Sequence, residues 1–196
     1  MKIIKYALLI MLVLCGIGLS QALAEDLASK EYDLGITLGM WFPGTISIED
    51  VDVDKGGSLF LRAFADMYVA PKFAVGIFGN YSKFTIKEDY YIPDGVDCTT
   101  YEFGMSLKPR ILLSPGVALK PGLNIGYRNV KTESIGYSDT TADGMGIDLS
   151  VELQIALEGG YIFHIDGGFL SQPVGGTDDA DVTWAPIMYL GVGITF

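Results

Sequence analysis

The stretch Gly146-Ile147-Asp148-Leu149-Ser150-Val151-Glu152-Leu153-Gln154-Ile155-Ala156-Leu157 decides the fold of this chain. Aliphatic residues occupy its odd positions, and polar or small residues occupy its even positions. A β-strand directs successive side chains to opposite faces, so the segment has one aliphatic face and one face that carries Asp148 and Glu152. A helix would spread the same residues around its whole circumference, which suits no single apolar environment. The pattern therefore predicts a strand.

Seven further segments alternate in the same way. The expected strands are 32–42, 58–69, 73–84, 100–112, 117–128, 146–157, 161–170 and 186–196. Their lengths suit tilted membrane strands of about 9–11 residues. One face of each strand is almost free of charge and has aromatic residues near the strand ends, namely Phe42, Tyr81, Tyr101, Tyr127, Tyr161 and Phe196. We interpret this face as lipid-facing, which predicts an all-β, eight-stranded antiparallel up-and-down transmembrane barrel.

The connections between these strands alternate in length. Short connections fall at 70–72, 113–116 and 158–160, and long polar ones fall at 43–57, 85–99, 129–145 and 171–185. Outer-membrane barrels have tight turns in the periplasm and long loops outside the cell, which is the layout expected here. Pro109 and Pro121 lie inside expected strands near the same short turn, so a bulge or frayed pairing is expected at that rim.

A soluble lipocalin-type barrel is the alternative architecture for a secreted eight-stranded chain. It requires the opposite polarity, with an apolar interior and a charged exterior. The charge-free face across all eight strands and its aromatic ends favour the membrane barrel. So do the glycines on the opposite face, such as Gly35, Gly39, Gly191 and Gly193, which leave room inside a narrow barrel.

The N-terminus has the organisation of a secretory signal. Lys2 and Lys5 precede an apolar stretch at 7–14, and small residues at 22 and 24 frame a cleavage site. We therefore expect residues 1–24 to be a signal peptide and residues 25–196 to be the barrel domain. Cys15 suggests a lipoprotein, but Leu14 stands where that processing requires a small residue. The signal-peptide interpretation is therefore favoured.

Charge and cysteine content limit the function. The net charge of the full sequence is −11, and removal of residues 1–24 takes away only Lys2 and Lys5, which gives −13. This balance argues against nucleic-acid partners. Cys98 would be the one remaining cysteine, so no intrachain disulfide is expected, and we place its free thiol in a loop.

The polar faces of the strands predict an ionic network in the lumen. Its expected members are Arg62, Asp66, Glu102, Lys108, Arg110, Lys120, Arg128, Asp148, Glu152, His164 and Asp166. An eight-stranded barrel is just wide enough to be filled by side chains, and charges held away from water need partners. The network is therefore interpreted as filler, and the alternative is a narrow passive pore whose ion pairs exchange partners.

Catalysis and metal binding receive little support. A lipid A-modifying enzyme would need a histidine near surface lipid, whereas His164 follows the short turn at 158–160 and should point inward near the periplasmic end. The acidic run at 49–54 mimics a calcium loop, but Lys55 stands where the turn glycine belongs and Leu61 where the closing glutamate belongs. We expect no enzyme activity, no cofactor and no metal site.

The C-terminal sequence MYLGVGITF (188–196) carries a family resemblance, together with LKPR (107–110) and KPGLNIGY (120–127). The chain resembles the small outer-membrane β-barrel proteins of Gram-negative bacteria, the porin-family or OmpX/OmpA-transmembrane-like group. The resemblance implies that Phe196, Ile194, Val192 and Leu190 form the signal read by the barrel assembly machinery. The group includes adhesins, structural anchors, narrow pores and lipid-modifying enzymes, so the resemblance specifies the architecture and not the activity. We expect a monomer in contact with outer-membrane lipid and lipopolysaccharide, with a structural or surface-interaction role.

Overall fold

The computed structural model describes residues 27–87, 95–133, 140–177 and 180–196, and the expected signal peptide at 1–24 lies outside them. The strands are β1 (Tyr32–Trp41), β2 (Gly44–Ile48), β3 (Val51–Lys55), β4 (Ser58–Ala70), β5 (Phe73–Ile86), β6 (Val96–Pro109), β7 (Ile111–Ser114), β8 (Val117–Glu133), β9 (Thr140–Ala156), β10 (Ile162–Gly176) and β11 (Val182–Thr195). Short 3-10 helices lie at Leu27–Ser29 and Glu158–Gly160. None of the described helices is long and apolar enough to span a membrane.

The strands close into one antiparallel barrel. Within the described residues the wall runs β1, β4, β5, β6, β8, β9, β10 and β11, and β11 pairs back with β1. The short strand β7 continues the line of β6 and also pairs with β8. The closed eight-stranded antiparallel barrel expected from the sequence is confirmed.

The polarity of the wall matches the alternation in the sequence. Leu149 and Val151 are 60% and 49% exposed on the outside of β9, whereas Asp148 and Glu152 are buried inside. The same outward rows of apolar residues recur on the other wall strands, for example Leu59 and Leu61 on β4. The aliphatic face therefore forms the outer surface, and the charged face lines the lumen.

The two ends of the barrel differ. We call the end with the short connections at 71–72, 115–116 and 157–161 the turn end, and the opposite end the loop end. Long polar loops were expected at 43–57, 85–99, 129–145 and 171–185, but much of these segments is strand. Strands β8, β9, β10 and β11 run well into them, and residues 44–55 form the β2–β3 hairpin. The barrel wall therefore continues beyond the expected membrane strands at the loop end.

The β2–β3 hairpin completes that extension. Strand β2 pairs with β11 through Ile46–Trp184, and β3 meets β5 through Lys55–Ile86, so the hairpin fills the gap above the ends of β1 and β4. Its turn residues Glu49 and Asp50 have φ values of 47° and 67°. Positive φ at both central residues is typical of the type I′ turn that suits a two-residue hairpin.

Prolines interrupt the wall where the sequence suggested and at two further places. The register that pairs Leu107 with Leu123 and Ile111 with Leu119 sets Pro109 opposite Pro121, and neither proline has an N–H group for the ladder. Strand β6 ends at Pro109 for this reason, and the register shifts between Leu112 and Ser114. Pro121 itself pairs regularly with Val151 of β9. Pro173 lies inside β10 at a bulge rather than in a loop, and Pro186 lies inside β11 next to a shift in the β10–β11 register.

Candidate functional site

Charged side chains fill the lumen in equal numbers. Among the described residues, six buried cations stand against six buried carboxylates: Lys55, Arg62, Lys108, Arg110, Lys120 and Arg128, and Asp33, Asp66, Glu102, Asp148, Glu152 and Asp166. Each is at most 5% exposed. Ions buried in a barrel cannot be solvated by bulk water, and four of the cations, Arg62, Lys108, Lys120 and Arg128, lie within 4.0 Å of carboxylates that offset this cost.

A lysine–carboxylate cluster occupies the lumen towards the turn end. The Lys120 Nζ lies 2.8 Å from an Asp33 oxygen, 3.0 Å from an Asp66 oxygen and 3.9 Å from a Glu152 oxygen. The Lys108 Nζ lies 2.9 Å from Asp66 and 3.5 Å from Glu152. Strands β1, β4, β6, β8 and β9 each supply one member, so the cluster ties together strands that are not neighbours in the wall.

Arg62 occupies the middle of the lumen. Its guanidinium lies 2.6 Å from Asp148 and 2.9 Å from Asp166, on the far side of the barrel. Its Nε donates to the Asn80 side-chain oxygen at 2.8 Å, and the Tyr189 hydroxyl donates to Asp148 at 2.9 Å. The side chains of these ion pairs, which span the lumen, are therefore held in place by several hydrogen bonds.

The Glu102–Arg128 pair links the ionic lumen to its loop end. An Arg128 nitrogen lies 3.1 Å from Glu102, and the Asn80 amide donates to the same carboxylate at 3.1 Å. The Arg128 guanidinium also lies over the Trp184 ring, with its central carbon 4.6 Å from the ring centroid. Arg128 thus marks the border between the ion pairs and an aromatic cluster.

Apolar side chains fill the lumen at the loop end, where the sequence analysis expected none. The cluster is centred on Trp41, Phe60, Phe84, Trp184 and Tyr189 and includes aliphatic residues of the β2–β3 hairpin and of β8–β11. Trp41 stacks on Phe60, and Trp184 contacts Trp41 and Phe84 edge to face. Cys98 is buried in this cluster, in strand β6, so its expected place in a loop was wrong.

The chain segment before β1 lies against the turn end of the lumen. Leu27 is 1% exposed and packs in a small apolar cluster with Ala118 and Ile162. The Arg110 guanidinium donates to the carbonyls of Leu27 and Pro71. Arg110 therefore holds this segment in place at the rim, apart from the lysine–carboxylate cluster.

His164 lies in a pocket of hydroxyl groups. Its Nε2 and Nδ1 lie 2.9 and 3.0 Å from the hydroxyls of Thr37 and Thr195, and its ring contacts Phe64 edge to face. Both ring nitrogens are occupied by threonine, and no serine is among their hydrogen-bond partners. Thr37, His164 and Thr195 are each at most 1% exposed, so these hydroxyl–imidazole contacts are closed off inside the barrel.

Nine of the eleven residues expected in the ionic network form ion pairs between a cation and a carboxylate. The other two, Arg110 and His164, have the separate environments just described. Two further participants, Asp33 and Tyr189, were not predicted and stand on inward positions of β1 and β11. A third buried polar residue that was not predicted, Lys55, stands on the β2–β3 hairpin apart from the network. The alternation of inward and outward residues in β1 and β11 is a signal that could have predicted Asp33 and Tyr189. Lys55 could be predicted only if the hairpin had been recognised.

The C-terminal residues expected to form the assembly signal face outward. Leu190, Val192, Ile194 and Phe196 are 44–53% exposed, and the Phe196 ring contacts Tyr161 at 5.8 Å. Across the described part of the chain, no group of three or more His, Cys, Asp or Glu side chains could hold a metal ion.

Solved structures of outer-membrane barrels share this fold. Neisserial surface protein A, from Neisseria, superposes with a TM-score of 0.57 at 10% identity, covering 85% of this chain and 96% of that one. A major outer membrane protein from Thermus thermophilus gives a TM-score of 0.50 at 12% identity, covering 85% and 99%. No protein-family model and no curated protein matches the sequence. At such low identity the likeness establishes the fold, which is that of eight-stranded outer-membrane barrels.

Proposed function

We propose that this chain is a non-conducting, non-enzymatic barrel of the bacterial outer membrane that displays the loop-end extension at the cell surface. The observation that carries the proposal is the Arg62 cross-link, in which one guanidinium spans the lumen to Asp148 and Asp166. Lysine–carboxylate pairs fill the lumen on one side of it and aromatic rings fill the other side. This filling by side chains on both sides of Arg62 favours the filled barrel over the narrow pore.

Conductance measurements test the closed lumen. Purified protein is reconstituted into liposomes, its folded fraction is checked by heat-modifiable gel migration, and the liposomes are fused to a planar bilayer. We expect a silent bilayer at protein amounts for which a general porin gives single-channel steps. Discrete steps from the folded protein would favour the pore.

Surface display is tested by cysteine labelling on intact cells. In a Cys98→Ser background, Lys131→Cys places a thiol on the exposed loop end and Lys72→Cys places one on the exposed turn end. A membrane-impermeant maleimide should label position 131 in intact cells and position 72 only after the cells are broken. The reverse pattern would overturn the proposed orientation.

Export and assembly are part of the same proposal. Residues 1–24 direct the chain across the inner membrane, and the C-terminal pattern ending in Phe196 is read by the assembly machinery. Deletion of Phe196 should lower the amount of heat-modifiable protein in the outer membrane. Replacement of the outward Phe169, in the middle of β10, by Leu serves as the control and should leave that amount unchanged.

A further inference from the structure

A partly open cavity of about 200 Å³ lies beside the aromatic cluster at the loop end. Strands β2, β5, β8 and β11 build its walls, and the principal lining residues are Ile46, Phe84, Ile86, Val130, Val182 and Trp184. An apolar cavity of about 150 Å³ is large enough to bind benzene. The space at the loop end therefore suits a short alkyl chain or a single aromatic ring.

A buried cation stands beside this cavity. Lys55 is 0% exposed, and its ammonium group lies 4.8 Å from the centre of the Phe84 ring, which lines the cavity, and 5.5 Å from that of Trp41. Its hydrogen-bond partners are the Gly56 carbonyl at 2.8 Å and the Ser58 hydroxyl at 3.4 Å. No carboxylate of the described residues lies within 4.0 Å of it, unlike the lysines of the lumen cluster. A buried ammonium without a counter-ion is unfavourable, so the site lacks a negative charge.

Other polar groups in and beside the aromatic cluster also lack partners. The indole N–H groups of Trp41 and Trp184 and the Arg128 Nε are buried and make no hydrogen bond to any described residue. All three are donors, and Trp184 lines the cavity itself. An apolar cavity that has an unneutralised cation and unused donors beside it matches a ligand that is apolar at one end and anionic at the other.

We propose that the loop-end cavity binds a small anionic amphiphile, a short acyl or aryl carboxylate, with its apolar part among Phe84, Val130 and Trp184 and its carboxylate at Lys55. A monocarboxylate fits the charge because Arg128 is already paired with Glu102, which leaves Lys55 as the one cation to neutralise. The proposal is independent of whether the lumen conducts, since the cavity lies on the loop-end side of the ion pairs.

Tryptophan fluorescence gives a direct readout of binding. The chain has two tryptophans, Trp41 and Trp184, and both belong to the cluster around the cavity. Protein in phospholipid nanodiscs is titrated with octanoate and, separately, with 1-octanol, which has the same chain length and no charge. We expect a saturable change in emission with both ligands and tighter binding of octanoate.

Two variants separate the cavity from the lipid surface. Ala142→Leu fills the cavity wall, and Ala63→Leu makes the same chemical change on the outside of β4. Octanoate affinity should fall at least tenfold in Ala142→Leu and stay unchanged in Ala63→Leu. Equal affinity in the two variants would overturn the proposal, because the signal would then come from octanoate dissolved in the bilayer.

The role of Lys55 is tested by charge. Lys55→Met should weaken octanoate binding about tenfold and leave 1-octanol binding unchanged. If octanoate binds equally to Lys55→Met and to the wild type, the assigned position of the carboxylate is refuted. Gel migration verifies that the variant is folded.

A pH series on the wild type repeats the test without mutation. Burial, and next the nearby Arg128, lower the pKa of Lys55 to about 8. Burial also raises the pKa of the nearby Cys98 thiol, to about 12. Octanoate affinity should therefore fall between pH 7 and pH 9.5 while 1-octanol affinity stays constant. Parallel behaviour of the two ligands would contradict the proposal.

Discussion

Removal of the Lys120 ammonium is the most informative test of the filled lumen. Lys120 is fully buried and faces carboxylate oxygens of Asp33, Asp66 and Glu152. Lys120→Met keeps the length of the side chain and removes its charge, which leaves three buried carboxylates with one remaining lysine. Breaking a buried ion pair by removal of one partner costs about 3–5 kcal/mol.

The remaining partners set the expected value within that range. Lys108 still neutralises Asp66 at 2.9 Å and approaches Glu152 at 3.5 Å. Asp33 keeps only the Tyr68 hydroxyl at 2.7 Å and the Gln154 amide at 3.1 Å, which are uncharged donors. One carboxylate therefore loses its counter-ion entirely, and we expect a loss of about 3 kcal/mol in the free energy of unfolding.

Urea unfolding of the liposome-inserted barrel measures this loss, with the folded fraction read by heat-modifiable gel migration. Lys131→Met is the matched control, since Lys131 lies on the same strand β8 but is exposed, and it should change stability by less than about 0.5 kcal/mol. Asp33→Asn added to Lys120→Met should restore part of the lost stability, because it removes the uncompensated charge. If Lys120→Met and Lys131→Met unfold at the same urea concentration, the ionic filling of the lumen contributes no stability and the reasoning fails.

Three further predictions use the same unfolding assay. Leu149→Arg places a charge on the lipid-facing side of β9 and should cost about 2–4 kcal/mol, whereas Leu149→Phe should not, and equal losses would place this face out of lipid. Gly193→Ala brings a Cβ within 2.0 Å of the Ile36 carbonyl oxygen and should cost about 1–3 kcal/mol, whereas the Cβ of Gly79→Ala has its nearest neighbour at 3.8 Å and should be tolerated. Because the pKa of Lys55 in the folded state is about 8, below its ordinary 10.5, the unfolded chain binds more protons between these values. Stability should therefore rise with pH from 8 to about 9, below the ordinary pKa of the Cys98 thiol, by at most about 1.4 kcal/mol, and Lys55→Met should abolish that rise.

The alternation in the sequence was sufficient to predict the wall and its inward face. Charge settled the direction, since Asp148 and Glu152 share one face of β9 and Leu149 and Val151 the other. Individual ion pairs could not be predicted in this way. The contact of Arg62 with Asp166 joins β4 to β10 across the lumen. Whether two such residues lie at the same level along the barrel axis depends on the stagger between strands that are not neighbours.

The β2–β3 hairpin was missed because its acidic residues suggested a metal loop. Ile46, Ile48, Val51 and Val53 do alternate with polar residues, which is the signal that could have revealed two short strands. The turn between them, Glu49-Asp50, lacks the glycine that usually marks a two-residue hairpin. Lys55 consequently had no predicted neighbours.

The polarity of the strands reverses along their length, and the solvent outside the wall explains why. In β5, the outward residue Tyr81 is aromatic and the inward residue Asn80 is polar. Further along the same strand, the outward residue Lys83 is charged and the inward residue Phe84 is aromatic. In β8, Tyr127 outward and Arg128 inward are likewise followed by Val130 inward.

The hydrophobic effect acts only where burial removes apolar surface from water. A strand in hydrocarbon gains nothing from an apolar interior, so its inward side can carry ion pairs. A strand with water outside must bury apolar side chains inward to be stable. The reversal just beyond Tyr81 and Tyr127 therefore places the edge of the hydrocarbon at these tyrosines. The aromatic cluster and its cavity then lie in the part of the barrel that water surrounds, where an amphiphile from the aqueous phase can reach Lys55 without crossing the bilayer.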